Sequence, residues 1–343
     1  MYNSLCKLCS LRGVSGWEDE VRAAIYEQCA PYAGKLFEDS TGNLYVFKSG
    51  AATRRAPLMV CAHMDEVGII ITSITSDGYL GFATVGGVDR RVIIGKRVRV
   101  GACALPGLIG VKAVHLSTKE ERKIVPKQED LYIDIGATTK AQAEKLVSPG
   151  DVATFDSEYA EFGDGYIKAR ALDDRIGCAA MLTLIREPLP FDTWFVFTVQ
   201  EEIGLRGAAV AAARLAPASA LILETTTAAD IPGMTGASCV CRADGGAVIG
   251  FMDRSTIYDK DYFALLCRLA DENHIPWQIK TQIAGGNDAG IIHKSGVGVK
   301  TASISVPVRY IHSPACVAAR DAIDAAVMLA RLFIHCKEDE NLC

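Results

Sequence analysis

The chain of 343 residues is half apolar and 22% charged, a balance that supports a sizeable buried core and excludes disorder as the main state. Its 36 basic and 41 acidic residues give a formal charge of −5 with no basic block, which argues against nucleic acid as a partner. No apolar stretch of signal-peptide length opens the chain, and the most apolar region, 208–223, is interrupted by Arg214 and Pro217. No membrane span is expected, and the reading is cytoplasmic. The twelve cysteines are irregularly spaced and mostly sit in apolar runs, as small hydrophobes do in a reducing compartment. Cys6 and Cys9 form a CxxC without a partner pair and read as part of a helix face.

In chain order, Ser15-Gly-Trp-Glu18 has capping-box spacing, and Val21, Ala24, Ile25 and Cys29 follow at helical intervals up to Pro31. The first helix is therefore expected over 17–29. Gly42-Asn43 is a turn between strand-like runs 35–38 and 44–48. Residues 57–62 form a continuous apolar run, the pattern of a strand covered on both faces. The texture then changes. Short β-rich runs at 68–74, 79–84, 97–100, 108–114, 131–135 and 152–155 are separated by turn residues, with one helical stretch at 140–146. These predict a small β-barrel or sandwich inserted as residues 67–163 between the two parts, 1–66 and 164–343, of a discontinuous main domain.

From 165 the α/β alternation returns: helix 174–186, strand 193–199, helix 205–214, strand 219–223, helix 258–273, strand 299–306 and helix 314–335. The expected fold is α/β, with a mostly parallel sheet between helix layers. Ligands in such sheets collect beyond the carboxyl ends of the strands. Those positions hold His63 and Asp65 after 57–62, Glu201-Glu202 after 193–199, Glu224 after 219–223, and His312 after the last strand and a Tyr310-Ile311 bend. The turn opening helix 174–186 adds Asp173-Asp174.

Two imidazoles and several carboxylates at one sheet edge suit a pair of divalent ions. Such ions lie about 3.5–4 Å apart, so one carboxylate must bridge them. Asp173 is the natural bridge, oriented by backbone N–H groups at a helix N-terminus. His63 and Glu224 complete one ion's protein ligands, Glu202 and His312 the other's. A donor set without thiolate suits zinc, cobalt or manganese. Neighbours on extended chain point to opposite sides, so Glu201 faces the substrate as general base while Glu202 binds metal. Asp65 is placed to accept the other ring N–H of His63. The loop Gly285-Gly286-Asn287-Asp288 is either a tight turn or a lining of the first-residue pocket. His115, His274, His293 and His335 read as structural or surface residues.

At these residues the chain resembles the M42 family of metallo-aminopeptidases, known as glutamyl aminopeptidases and, under an older label, endoglucanases. The matching segments are CAHMDEVG (61–68), KARALDDRIG (168–177), FTVQEEIGLRGA (197–208), GGNDAG (285–290) and RYIHSP (309–314). TVGGVDRRVIIGKRV (84–98) and EDLYIDIGA (129–137) match within the insert. The resemblance covers nearly the whole chain in order. It implies a zinc-peptidase-like three-layer catalytic domain holding two divalent ions, zinc or cobalt first and manganese possible. His63, Asp173, Glu202, Glu224 and His312 are then ligands and Glu201 the base. It also implies peptide substrates and self-association through the insert, as dimers that build tetrahedral dodecamers. Glu224 departs from the usual Asp; the extra methylene can still ligate but alters geometry.

Three other functions compete. A related di-metal deacylase or carboxypeptidase shares the ligands but not the need for a free α-amine. A glycoside hydrolase needs carboxyls roughly 5–9.5 Å apart across a sugar, which adjacent Glu201 and Glu202 do not naturally offer. A scaffold with a vestigial site would need no complete ligand set.

Overall fold

A computed structural model describes residues 1–53 and 57–336. Its large sheet has the strand order Lys35–Glu38, Leu44–Lys48, Thr193–Thr198, Leu58–His63, Ser219–Thr227, Lys300–Arg309, Cys316–Ala319, Tyr166–Ala169, Ala160–Phe162. The four strands from Thr193–Thr198 to Lys300–Arg309 run parallel, as the α/β alternation implies, and antiparallel strands flank them.

Alternation along the central strands builds the three layers. Leu58, Val60 and Ala62 point into a core shared with helices Tyr2–Ser10, Asp19–Cys29, Leu172–Ile185, Lys260–Glu272 and Arg320–His335. Met59 and Cys61 point the other way, against helix Arg206–Leu215 and the short helix Ala289–Ile292. Every residue of Leu58–His63 is buried, which explains its unbroken apolar run. No described helix is long and apolar enough to cross a membrane.

Strands Gly68–Ile74, Leu80–Val85, Arg97–Val100, Leu105–Val111, Leu131–Asp134 and Val152–Phe155 close into a six-stranded antiparallel barrel around Ile69, Ile71, Phe82, Val98, Ile109, Ile133 and Phe155. Residues 160–162, grouped with the insert in the sequence reading, pair instead with Tyr166–Ala169 of the large sheet. A buried ion cluster joins the two parts. Glu66 Oε2 lies 2.7 Å from Arg170 Nε, and Arg170 also donates to the carbonyls of Phe155 and Leu11.

Several expectations shift. Helix Tyr2–Ser10 precedes the one expected as first, and it carries both Cys6 and Cys9. The capping box does not form, because Ser15 Oγ donates to Asp65 instead. The strand expected over 219–223 continues to Thr227, so Glu224 lies inside it. The C-terminal helix begins at Arg320, after an extra strand Cys316–Ala319.

Candidate metal centre

The parallel register brings the first candidate ligands together. Cys61 pairs with Ile222, so His63 and Glu224, two residues further on, stand level on neighbouring strands and face the same way. His63 Nε2 lies 3.5 Å from Glu224 Oε1 and 3.4 Å from Asp173 Oδ1. On the other side, His312 Nε2 lies 3.3 Å from Asp173 Oδ2 and 3.2 Å from Glu202 Oε2. The two oxygens of Asp173 therefore face different histidines. Two donors bonded at 2.0–2.1 Å to one tetrahedral ion are about 3.3 Å apart, so these spacings suit neighbouring ligands of an ion.

Asp173 is not held as a helix-start residue. It has non-helical backbone, and its Oδ1 accepts a 2.7 Å bond from Thr225 Oγ1. The capping falls to Asp174, whose Oδ1 accepts the Gly177 amide at 2.9 Å. The other oxygen of Asp174 is buried without a partner among the described residues, and the residue offers a donor near His63 and Glu224. In the sequence Asp174 stands at the same edge but receives no role, and Thr225 is not singled out. The Thr225 signal, a hydroxyl beside a candidate ligand, is too common to single out.

The Glu201-Glu202 pair lies on a turn, not on extended chain as expected: the amides of Gly204 and Leu205 both donate to the Glu201 carbonyl. Gln200 before it is in left-handed backbone, φ 56°. Asp65, fully buried, holds this turn. It accepts the amides of Glu201 at 3.0 Å and Glu202 at 3.2 Å, together with the Ser15 hydroxyl at 2.6 Å. The Nδ1 of His63 meets the Asp65 carbonyl at 3.1 Å, closer than its carboxylate at 3.4 Å. The expected tautomer contact thus falls mainly to the backbone, and the carboxylate orients the glutamates.

Burial, with the charge of Asp173 added, pushes Glu202 up to about 8. Burial raises Glu224 to about 7, and burial with neighbouring carboxylates raises Glu201 well above the usual range. Against the cost of burial, hydrogen bonding to Asp173 and the charge of Glu202 lift His312 to about 9. Crowded carboxylates that resist ionising are short of positive charge, and Glu202 Oε1 is buried without a partner among the described residues. The donor set fits divalent cations.

These residues open into a cavity of about 380 Å³ that Glu201 lines without a hydrogen bond to its carboxylate among the described residues. Gly285, Gly286 and Asn287 line it too. Asp288 does not: its carboxylate accepts from Thr198 Oγ1 at 2.6 Å and is 1% exposed. Of the remaining histidines, His115, His274 and His335 are exposed, and His293 bonds the Ala289 carbonyl.

The M42 glutamyl aminopeptidase family matches residues 42–329. The chain belongs to this family. A protein of Acetivibrio thermocellus assigned as an aminopeptidase is 40% identical over 331 residues, covering 96% of this chain and 97% of its own. An aminopeptidase of Desulfurococcus kamchatkensis superposes with a TM-score of 0.92 at 35% identity, over 97% of this chain and 94% of its own. The TET1 peptidase of Pyrococcus horikoshii, which assembles into a tetrahedron or a large octahedral shell, gives 0.86 at 33% identity over 97% and 98%.

M42 membership makes the protein a hydrolase of peptide bonds and implies cleavage at peptide N-termini. M42 peptidases are metal-dependent, in keeping with the clustered imidazoles and carboxylates. In this M42 chain the turn carrying the glutamates hangs on one carboxylate. Asp65→Ala strands two partly buried amides and a buried hydroxyl and is expected to cost about 3 kcal/mol. Denaturant unfolding measures that loss, and hydrogen exchange at 201 and 202 is expected to accelerate with it. Unchanged exchange would mean that the turn holds itself.

Proposed function

We propose that the protein is a two-metal aminopeptidase, with Asp173 bridging, His63 and Glu224 on one ion, and Glu202 and His312 on the other. The carrying observation is the division of the Asp173 oxygens between the two histidines. Zinc or cobalt suits this imidazole–carboxylate set, and manganese is compatible with it. Divalent ions held there supply Lewis acidity toward the scissile carbonyl and lower the pKa of water. Glu201 lines the cavity with a free carboxylate; it takes the proton of the attacking water and hands it to the leaving amine. Glu202 and Glu224 stay ionised as ligands, and Asp65 keeps Glu201 aimed.

The protein acts on peptides in the cytoplasm and self-associates through the inserted barrel, as dimers within a dodecamer. Support comes from exposed Leu108, Val114, Leu116 and Ile124 on the insert and from the shells built by the Pyrococcus relative.

The cavity wall indicates the first side chain. Asp253 there is saturated, accepting the amides of Ser255 and Thr256 and the hydroxyls of Ser255 and Tyr258. Among the described residues Lys280 donates only to the Ala284 carbonyl, and burial pulls it below the usual lysine value. Of these two charged groups the lysine retains unused hydrogen-bonding capacity, which favours an acidic first residue.

Chelation is expected to abolish cleavage of aminoacyl reporters, and Glu201→Gln to retain both ions while losing at least about 100-fold in kcat. A metal-loaded Glu201→Gln enzyme of normal rate would remove Glu201 from the chemistry. Glutamyl reporters should be cleaved faster than lysyl ones. Lys280→Met should lower kcat/KM on glutamyl substrates by about 10- to 100-fold, as loss of a charged hydrogen bond does, and spare leucyl ones. A preference for lysyl reporters would contradict the assignment of the pocket.

A further inference from the structure

The two histidines of the metal centre are held differently. His63 is 1% exposed, and its Nδ1 is fixed by Asp65, two residues away in the same domain. His312 has a side chain 35% exposed and sits on left-handed backbone (φ 57°), two residues after Tyr310 in the same conformation (φ 59°). Its Nδ1 reaches out of the catalytic layer to the carbonyl of Gly87, at 3.2 Å. Gly87 belongs to the insert, in the turn after barrel strand Leu80–Val85.

The approach is close. A Cβ on Gly87 would lie 3.2 Å from His312 Nδ1, closer than an ordinary contact. Gly86 has φ 79°, and a Cβ there would stand 2.8 Å from Val67 Cγ1 and 3.3 Å from Glu202 Cβ. The paired glycines therefore pack against Glu202 and His312, the two side chains that share one side of Asp173.

We propose that the Gly86-Gly87 turn of the barrel is a positioning element of the metal centre. The Gly87 carbonyl accepts a hydrogen bond from the Nδ1–H of His312 and so turns the Nε2 lone pair toward Asp173 and Glu202. The catalytic layer alone orients the ion between His63 and Glu224. The ion between Glu202 and His312 needs the barrel in place. This inference rests on the two-metal reading above and adds that the insert, whatever it does in assembly, completes one of the two sites.

The test is zinc binding by calorimetry to the full chain and to Gly87→Ala, after metal removal. The unmodified chain is expected to bind two ions. The variant is expected to keep one at unchanged affinity and to weaken the other roughly 10- to 100-fold, because the added methyl presses on His312 Nδ1 and shifts the ring off the Gly87 carbonyl, and disturbing the outer partner of a ligating histidine costs about that much. Its activity should recover as zinc is raised. Fewer than two ions in the unmodified chain would defeat the two-metal reading itself. Two ions bound equally well by both proteins, or both sites weakened alike, would overturn the positioning role alone. A second measurement needs no variant: in the zinc-loaded chain labelled with 15N-histidine, the Nδ1 proton of His312 should exchange slowly with water. Fast exchange would also overturn the proposal.

Discussion

One carboxylate organises the catalytic edge. Asp173 presents Oδ1 to His63 and Oδ2 to His312, and these histidines come from opposite ends of the catalytic sequence. Without compensating positive charge the arrangement is unfavourable, because buried carboxylates crowd one another and stay partly protonated. The rest of the fold holds this unfavourable cluster in place. Thr225 fixes one oxygen of Asp173, Asp174 caps the helix behind it, and Asp65 ties down the glutamate turn. Left-handed backbone at Ala171, Gln200, Tyr310 and His312 adds local strain, about 1–3 kcal/mol at each, that the packed three-layer core must offset.

The parallel sheet explains why residues so distant in sequence meet. Strand Leu58–His63 lies between Thr193–Thr198 and Ser219–Thr227, with its carboxyl end level with Thr198 on one side and Glu224 on the other. His63, the glutamate turn and Glu224 therefore emerge together. The chain returns through Lys300–Arg309 and bends at Tyr310 to bring His312 over the same edge. The chain leaves the sheet for the barrel shortly after His63 and rejoins it at Ala160–Phe162, an edge strand, before reaching Asp173. The barrel's turn at Gly87 comes back to touch His312.

Much of this was legible in the sequence because strand ends are punctuated by chemistry. The unbroken apolar run before His63 and the change to short β-runs after Val67 identified the central strand and the insert. Other features depended on tertiary partners. Helix Tyr2–Ser10 buries only Ser4, Leu5, Leu8 and Cys9 and has no side-chain cap, so its periodic signal is brief. Ser15 has capping spacing but finds a stronger acceptor in the charged Asp65 carboxylate. The apolar run of residues 219–223 ends one position before Glu224, yet pairing with Val306–Val308 carries the β-branched threonines on as strand. Asp288 looked like a pocket residue by its glycine-rich setting, but Thr198 holds it inside. Lys280 and Gly87 gain meaning only through what the fold sets beside them.

The most direct test of the account is anomalous diffraction from crystals loaded with zinc, recorded above and below the zinc edge. Two peaks about 3.5–4 Å apart, one against each oxygen of Asp173, with His63 and Glu224 on one and Glu202 and His312 on the other, are the predicted result. A single peak, or a pair that Asp173 does not bridge, would contradict it.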